Sequence, residues 1–172
     1  MSLKLTRLDV SFEDLDKSDA LNAVIKETLR FRSPGPASFD KLILKDFDLG
    51  QYHFSAGDKI VIPFCYHSNS VEYFDEPNVW NPNNFMPGNP KKIPSMAFIP
   101  FSAGRRGCIG KLLAETIIKV NLIEILESYD LWVDKEDKNA WRLTIGVDID
   151  HCNVKVTKRR KDIITKDDQP TA

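Results

Sequence analysis

No apolar run in the sequence approaches the about 20 residues needed to cross a bilayer as a helix, so nothing in it predicts a transmembrane span. The first ten residues carry Lys4, Arg7 and Asp9 where a secretory signal needs an apolar segment, so the expectation is a soluble chain without a targeting address. Cysteine is scarce. Cys65, Cys108 and Cys152 are odd in number and widely spaced, which fits neither a disulfide framework nor C-x-x-C metal or redox spacing and predicts a reducing compartment. Neither sign of charge dominates: 24 Lys and Arg against 25 Asp and Glu leave a net charge of −1. Without a broad basic field, nucleic acid is not an expected partner.

What is present suffices for a packed interior. A chain of 172 residues fits one domain, and 42% hydrophobic with 10% aromatic residues excludes global disorder. After a polar stretch over 11–17, Ser18 or Asp19 can cap a helix over 19–31 in which Leu21, Val24, Ile25 and Leu29 recur at helical spacing. Ser33-Pro34-Gly35-Pro36 ends it. Segments 41–44, 47–54 and 59–64, rich in β-branched and aromatic residues and separated by turn chemistry at Asp48-Leu49-Gly50 and Gly57-Asp58, predict a small antiparallel sheet.

From Asp75 to Gly107 neither structural period appears, and six prolines punctuate a run whose aromatics, Trp80, Phe85, Phe98 and Phe101, favour packing over disorder. A second helix is expected over 108–129, apolar around most of its circumference and therefore mostly buried, with Glu115 and Lys119 as an i, i+4 pair on its narrow polar side. Segments 131–133, 142–149 and 153–157 read as strands, and a polar tail runs from Lys158 to Ala172. There is no internal repeat.

The strongest chemical signal is Phe101-Ser102-Ala103-Gly104-Arg105-Arg106-Gly107-Cys108-Ile109-Gly110. It sets a cysteine at the start of a helix, after two arginines and among three glycines. The unpaired N–H groups of a first helical turn and the helix dipole favour an anion there, which predicts a thiolate, a soft metal ligand or a nucleophile. Gly104, Gly107 and Gly110 leave room for a flat or bulky group against the backbone. Taken piece by piece, a lone cysteine and a glycine-rich turn are ordinary core and punctuation. A nucleophilic cysteine needs a histidine base, and His53, His67 and His151 offer no local signature for one. Zinc needs three or four Cys and His ligands, and His151-Cys152 is the only close pair.

As a whole, the ten residues resemble the cysteine loop of the cytochrome P-450 superfamily, whose five fixed positions match at Phe101, Gly104, Arg106, Cys108 and Gly110. The resemblance implies that Cys108 is the axial thiolate of a haem iron (heme b, iron protoporphyrin IX), that Arg106 pairs with a haem propionate and that Phe101 packs beside the porphyrin. Other marks follow in order. Lys26-Glu27-Thr28-Leu29-Arg30 is similar to the family's Glu-x-x-Arg helix, which implies a buried ion pair of Glu27 with Arg30. Gly57-Asp58-Lys59-Ile60-Val61-Ile62 looks like a family strand, and His67 falls where the family often has a histidine. Residues 74–85 resemble the meander that ends Pro-Glu-Arg-Phe. Here it reads Pro82-Asn83-Asn84-Phe85, so the third member of the Glu/Arg/Arg network is Asn84, which hydrogen-bonds but brings no second fixed charge. Ile117 stands where a glutamate is frequent.

The resemblance runs over about 17–156 and covers the C-terminal third of a family member: an α+β portion with the Glu-x-x-Arg helix, small antiparallel sheets, the meander, the Cys loop and a long buried helix. The oxygen-activating helix, the helix that holds the propionates and any membrane anchor are expected before residue 1. By the resemblance, the activity is insertion of one oxygen atom of O2 into an apolar substrate, catalytic only when the missing two thirds complete the fold, with electrons from a reductase or ferredoxin. Arg105, Lys111 and Lys119 would then lie near a surface for an acidic redox partner, or be solvated helix charges. Lys158-Arg159-Arg160-Lys161 reads first as a disordered basic tail and second as a membrane or partner contact. The parent family is often in the endoplasmic reticulum membrane facing the cytosol, or in mitochondria. The alternative is a non-catalytic remnant serving as a structural or interaction module.

Overall fold

The computed structural model describes residues 11–133, 141–143, 147–149 and 152–159. The expectations for Met1–Val10 and for His151 lie outside them, as does most of the C-terminal tail.

The stretch over 11–17, read from the sequence only as polar, folds as a helix, α1 (Phe12–Lys17). Its N-terminus carries a capping box: the Ser11 Oγ accepts from the Asp14 amide, and the Asp14 carboxylate accepts from the Ser11 amide. These bonds hold the Asp14 carboxyl below the usual aspartate range, the Ser11 hydroxyl first and its amide second. Leu15 is the buried apolar side chain of this turn. Helix α2 (Asp19–Phe31) starts at Ser18, whose Oγ accepts from the Leu21 amide, and stops where Arg32 leaves helical geometry before the two prolines. Its buried side chains are Ala23, Ile25, Glu27 and Arg30. The inner face of α2 therefore carries an acid and a base as well as aliphatics.

The expected single sheet after α2 is two separate ladders. Strand β1 (Lys41–Leu42) pairs antiparallel with β4 (Lys59–Ile60), while β2 (Phe47–Leu49) and β3 (Tyr52–Phe54) form a hairpin around Gly50, whose φ of 60° requires a left-handed backbone. Phe47 stacks on Phe54 across that hairpin, ring centroids 5.0 Å apart. Pro63 and a short helix α3 (Cys65–Ser68) end the fourth strand early.

The meander is ordered by local turns and by aromatic packing. Phe74 is buried and touches Phe85, which touches Phe98, with ring centroids 6.1 and 4.8 Å apart. Trp80 donates from Nε1 to the Thr28 hydroxyl, fixing the run to α2. Helix α4 (Lys111–Ser128) leads directly into β5 (Tyr129–Val133), which pairs antiparallel with β8 (Val154–Lys158); β6 (Trp141–Leu143) and β7 (Val147–Ile149) form a second hairpin. Lys158 closes β8, and the Arg159 guanidinium bonds the Asp130 carboxylate at 2.7 Å. Lys158 thus belongs to the sheet, and Arg159 is tied to it by this bond and by its amide donating to the Ser128 carbonyl at 2.8 Å.

Two expectations for α4 are corrected. It starts at Lys111, because the chain turns over Cys108–Gly110 and the first helical bond runs from the Ala114 amide to the Gly110 carbonyl at 2.9 Å. Nor is it mostly buried: Leu112, Leu113, Ile117 and Leu126 are half exposed or more. A helix apolar all round needs cover on every side, and the described residues supply it only in part. Its two buried residues are Lys119 and Ser128, so Lys119 is no solvated surface charge.

Candidate haem-ligand loop and the buried ion pair of α2

The most buried large side chains of the described residues are Arg30, Phe74 and Glu27. Arg30 lies one turn beyond Glu27 on α2, and its Nε and Nη2 donate to Glu27 Oε2 and Oε1 at 2.8 and 2.7 Å, a bidentate pair fully removed from solvent. The remaining guanidinium hydrogens reach backbone carbonyls: Nη1 donates to Ser68 and Pro77, both at 2.8 Å, and Nη2 to Val79 at 3.1 Å. All of its donors are thereby used, which is the condition for burying a guanidinium without a large desolvation loss. Phe74 lies under the same guanidinium, 4.8 Å from carbon to ring centroid.

Glu27 is satisfied from the meander. The Asn81 amide donates to Oε1 at 2.8 Å, and Asn84 Nδ2 lies 3.3 and 3.2 Å from the two carboxylate oxygens. Asn84 thus occupies the third corner of the network as a neutral donor. It is held by its own carbonyl, which accepts from Asn89 Nδ2 at 2.9 Å. The ion pair consequently ties α2 to the turns at 68–84, a segment with no periodicity of its own.

The cysteine loop is a chain of tight backbone bonds. Gly104 has a φ of 74° and opens a short 3-10 turn over Gly104–Arg106, closed by the Gly107 amide donating to the Gly104 carbonyl at 3.0 Å. A side chain on Gly107 would meet that carbonyl oxygen at 3.2 Å. The Cys108 amide then donates back to the Phe101 carbonyl at 2.9 Å, so the half-buried Phe101 fixes the backbone that presents the sulfur. Arg106 and Cys108 are exposed, and Gly110 supplies the N-cap of α4 with its Cβ position 3.8 Å from the sulfur. Cys108 therefore precedes the first helical turn instead of belonging to it. Ile109 is fully exposed, with Leu112 and Leu113 beside it in sequence also open.

The start of the loop borders a cleft of about 270 Å³, walled by Lys26 and Leu29 of α2, by Phe98–Ser102 and by Lys111 and Glu115 of α4; the ion pair is buried away from it. The structure does not bring His67 to either: it is exposed, edge-on between Tyr66 and Tyr73, at 5.3 and 5.6 Å. Lys119, expected near a partner surface with Arg105 and Lys111, is instead buried and bonds the Asp16 carboxylate at 2.6 Å, away from its helical neighbour Glu115. The sequence signal for Asp16 was missed with the helix that carries it. The carbonyls of Ser68, Pro77 and Val79 have no sequence signal, because every residue carries one.

A porphyrin-bound iron fits the donors present. Among the described residues no three His, Cys, Asp or Glu side chains gather to hold an ion, and Cys108 offers one exposed soft sulfur. One thiolate suits a metal whose other ligands arrive with it. The open apolar side chains of Ile109, Leu112 and Leu113, close to Cys108 in sequence, suit a flat hydrophobic group.

Comparison with known proteins identifies the family of the chain. The family model for Cytochrome P450 matches residues 4–147. Curated relatives include Cytochrome P450 4V2 of Mus musculus, 37% identical over 130 residues, which are 75% of this chain and 24% of the relative. Cytochrome P450 26A1 of Gallus gallus is 31% identical over 121 residues, 70% of this chain and 24% of the relative. The chain spans about a quarter of the length of such relatives. Among solved structures, the haem domain of cytochrome P450DA superposes with a TM-score of 0.77 at 21% identity, covering 87% of this chain and 33% of that one. Among the described residues no helix is long and apolar enough to cross a membrane.

Proposed function

The chain belongs to the cytochrome P450 family, and on that premise we propose that it is the cysteine-bearing portion of a haem-thiolate monooxygenase, with Cys108 Sγ as the iron ligand. The observation that carries the proposal is the exposed Cys108 thiol, held just before α4 by the Cys108–Phe101 backbone bond, with exposed apolar residues next to it in sequence. The group it would hold is haem b. When bound, that group supplies the chemistry by which one atom of O2 enters an apolar organic substrate and the other leaves as water.

The protein's own contribution is positional. The 3-10 turn over Gly104–Arg106 and its closing bond set the height of the sulfur; Gly104 supplies the left-handed backbone that opens the turn, and Gly107 keeps a side chain off its closing carbonyl. Phe101, half-buried, anchors the backbone of Cys108 through its carbonyl. Arg106, exposed two residues before the cysteine, is the cation we assign to a haem propionate. Glu27 and Arg30 do not touch the sulfur. They hold the meander against α2, which forms one wall of the cleft behind the loop. A reductase or ferredoxin and an apolar substrate are the partners of the completed fold, whose distal wall comes from polypeptide outside this chain.

The test is spectroscopic. Purified chain given haemin, reduced and exposed to carbon monoxide should show the red-shifted Soret band of a thiolate-ligated haem, and Cys108→Ala should lose it. A chain that takes up no haem, or an unchanged band in Cys108→Ala, overturns the assignment and leaves a non-catalytic structural or interaction module.

A further inference from the structure

Asp16 of α1 bonds to both long helices. Its backbone carbonyl accepts from Asn22 Nδ2 of α2 at 2.6 Å, and its carboxylate accepts from Lys119 Nζ of α4 at 2.6 Å. The lysine side chain is only 9% exposed, while the aspartate is 68% exposed. The contact therefore takes a cation out of water and gives it one anionic partner at the protein's edge. The same face of α4 meets α1 higher up, since Leu15 and Asp16 share a groove with Leu112, Thr116 and Lys119. Leu112 lies two residues past Gly110 and four past Cys108.

The buried residues of helix α4 are Lys119 near the middle and Ser128 at the end, and in its N-terminal half Leu112, Leu113, Ile117 and Ile118 are open. The position of its N-terminal half, and of the loop that feeds it, consequently depends on what holds Lys119. From this geometry we propose that Asp16 is a positioning residue for the Cys108 loop: through Lys119 it fixes the head of α4 relative to α2 and so sets where the sulfur stands. The purpose of that placement rests on the reading of Cys108 given above, but the mechanical coupling does not.

The experiment follows amide hydrogen exchange residue by residue in the whole chain, comparing Asp16→Asn, Lys119→Met and the conservative Asp16→Glu with the unaltered protein. The Gly107 and Cys108 amides, which donate within the loop, should lose about tenfold in protection in the first two variants. The Asn81 amide, which donates to Glu27 Oε1, should be unchanged. Asp16→Glu keeps the charge within reach of Lys119 and should restore the loop. Unchanged protection at Gly107 and Cys108 overturns the proposal, as does equal loss at Asn81, which marks general loosening. Haemin added to the same samples gives an independent readout: the thiolate-type carbonyl band should shrink in Asp16→Asn and recover in Asp16→Glu. If the unaltered chain takes up no haem, the assignment of Cys108 fails while the exchange comparison still decides the role of Asp16.

Discussion

Arg30 grips Glu27 with two parallel hydrogen bonds of 2.8 and 2.7 Å inside a region from which water is excluded. The pair is worth more as a constraint than as a source of stability, because bringing both charges out of water offsets much of their attraction. Breaking it is a different matter. Glu27→Ala leaves a buried guanidinium with carbonyl partners only, and Arg30→Ala leaves a buried carboxylate. Either change should cost about 3–5 kcal/mol in urea denaturation, and a loss below about 1 kcal/mol would contradict the burial described.

Asn84 tests how that carboxylate is balanced. Asn84→Ala removes a neutral donor 3.2 Å from Glu27 and should cost about 0.5–1.5 kcal/mol, well under the loss for Arg30→Ala. Asn84→Asp keeps the shape but sets a second carboxylate against the first, so it should destabilise more than alanine at neutral pH and recover as the solution is acidified. Equal losses for the two substitutions, independent of pH, would show that the amide hydrogen is not what Glu27 uses.

Much of this arrangement was legible in the sequence, for identifiable reasons. The helix over 19–31 has both its signals, Ser18 at the start and Pro34 after the end, and both lie in the local chain. The ten-residue loop was legible as a family pattern, although its helix begins three residues after the cysteine because Gly110 makes a turn first. Glu27 and Arg30 have the spacing of any surface pair, and only the family pattern, not the apolar stripe, pointed inward. Helix α1 was missed because a six-residue helix capped by Ser11 and Asp14 has too few turns for periodicity to register. The exposure of α4 was unreadable for another reason. An all-apolar helix announces that it wants cover, not that its own chain provides it.

The capping box of α1 carries a pH dependence whose sign follows from the Asp14 shift. Its carboxyl is lowered on folding, so the charged form is preferred in the folded state. The stabilisation is therefore present above the ordinary aspartate range and is lost as pH falls through the folded value, below about pH 4. Protection of the Ser11 amide, which donates to the carboxylate, should fall in that window and not between pH 5 and 8. Asp14→Asn should flatten the profile. A protection loss centred near neutral pH would assign the effect to another group.

The two loop glycines should fail in different ways, and the difference separates backbone conformation from space. Gly104 has a φ of 74° with nothing within 4 Å of its Cβ position, so Gly104→Ala meets no neighbour and costs only the left-handed strain, about 1–2 kcal/mol. Gly107 has ordinary φ, but its Cβ would lie 3.2 Å from the Gly104 carbonyl oxygen, the acceptor of its own amide. The oxygen belongs to the backbone and yields only if the 3-10 turn opens. Gly107→Ala should therefore expose the Gly107 and Cys108 amides to exchange with little change in global stability, whereas Gly104→D-Ala, introduced by chemical ligation, should recover the loss seen with L-Ala. If the D-residue is no better than the L-residue, the turn does not depend on a left-handed backbone at position 104, and the geometry assigned to the cysteine loop is wrong at its first step.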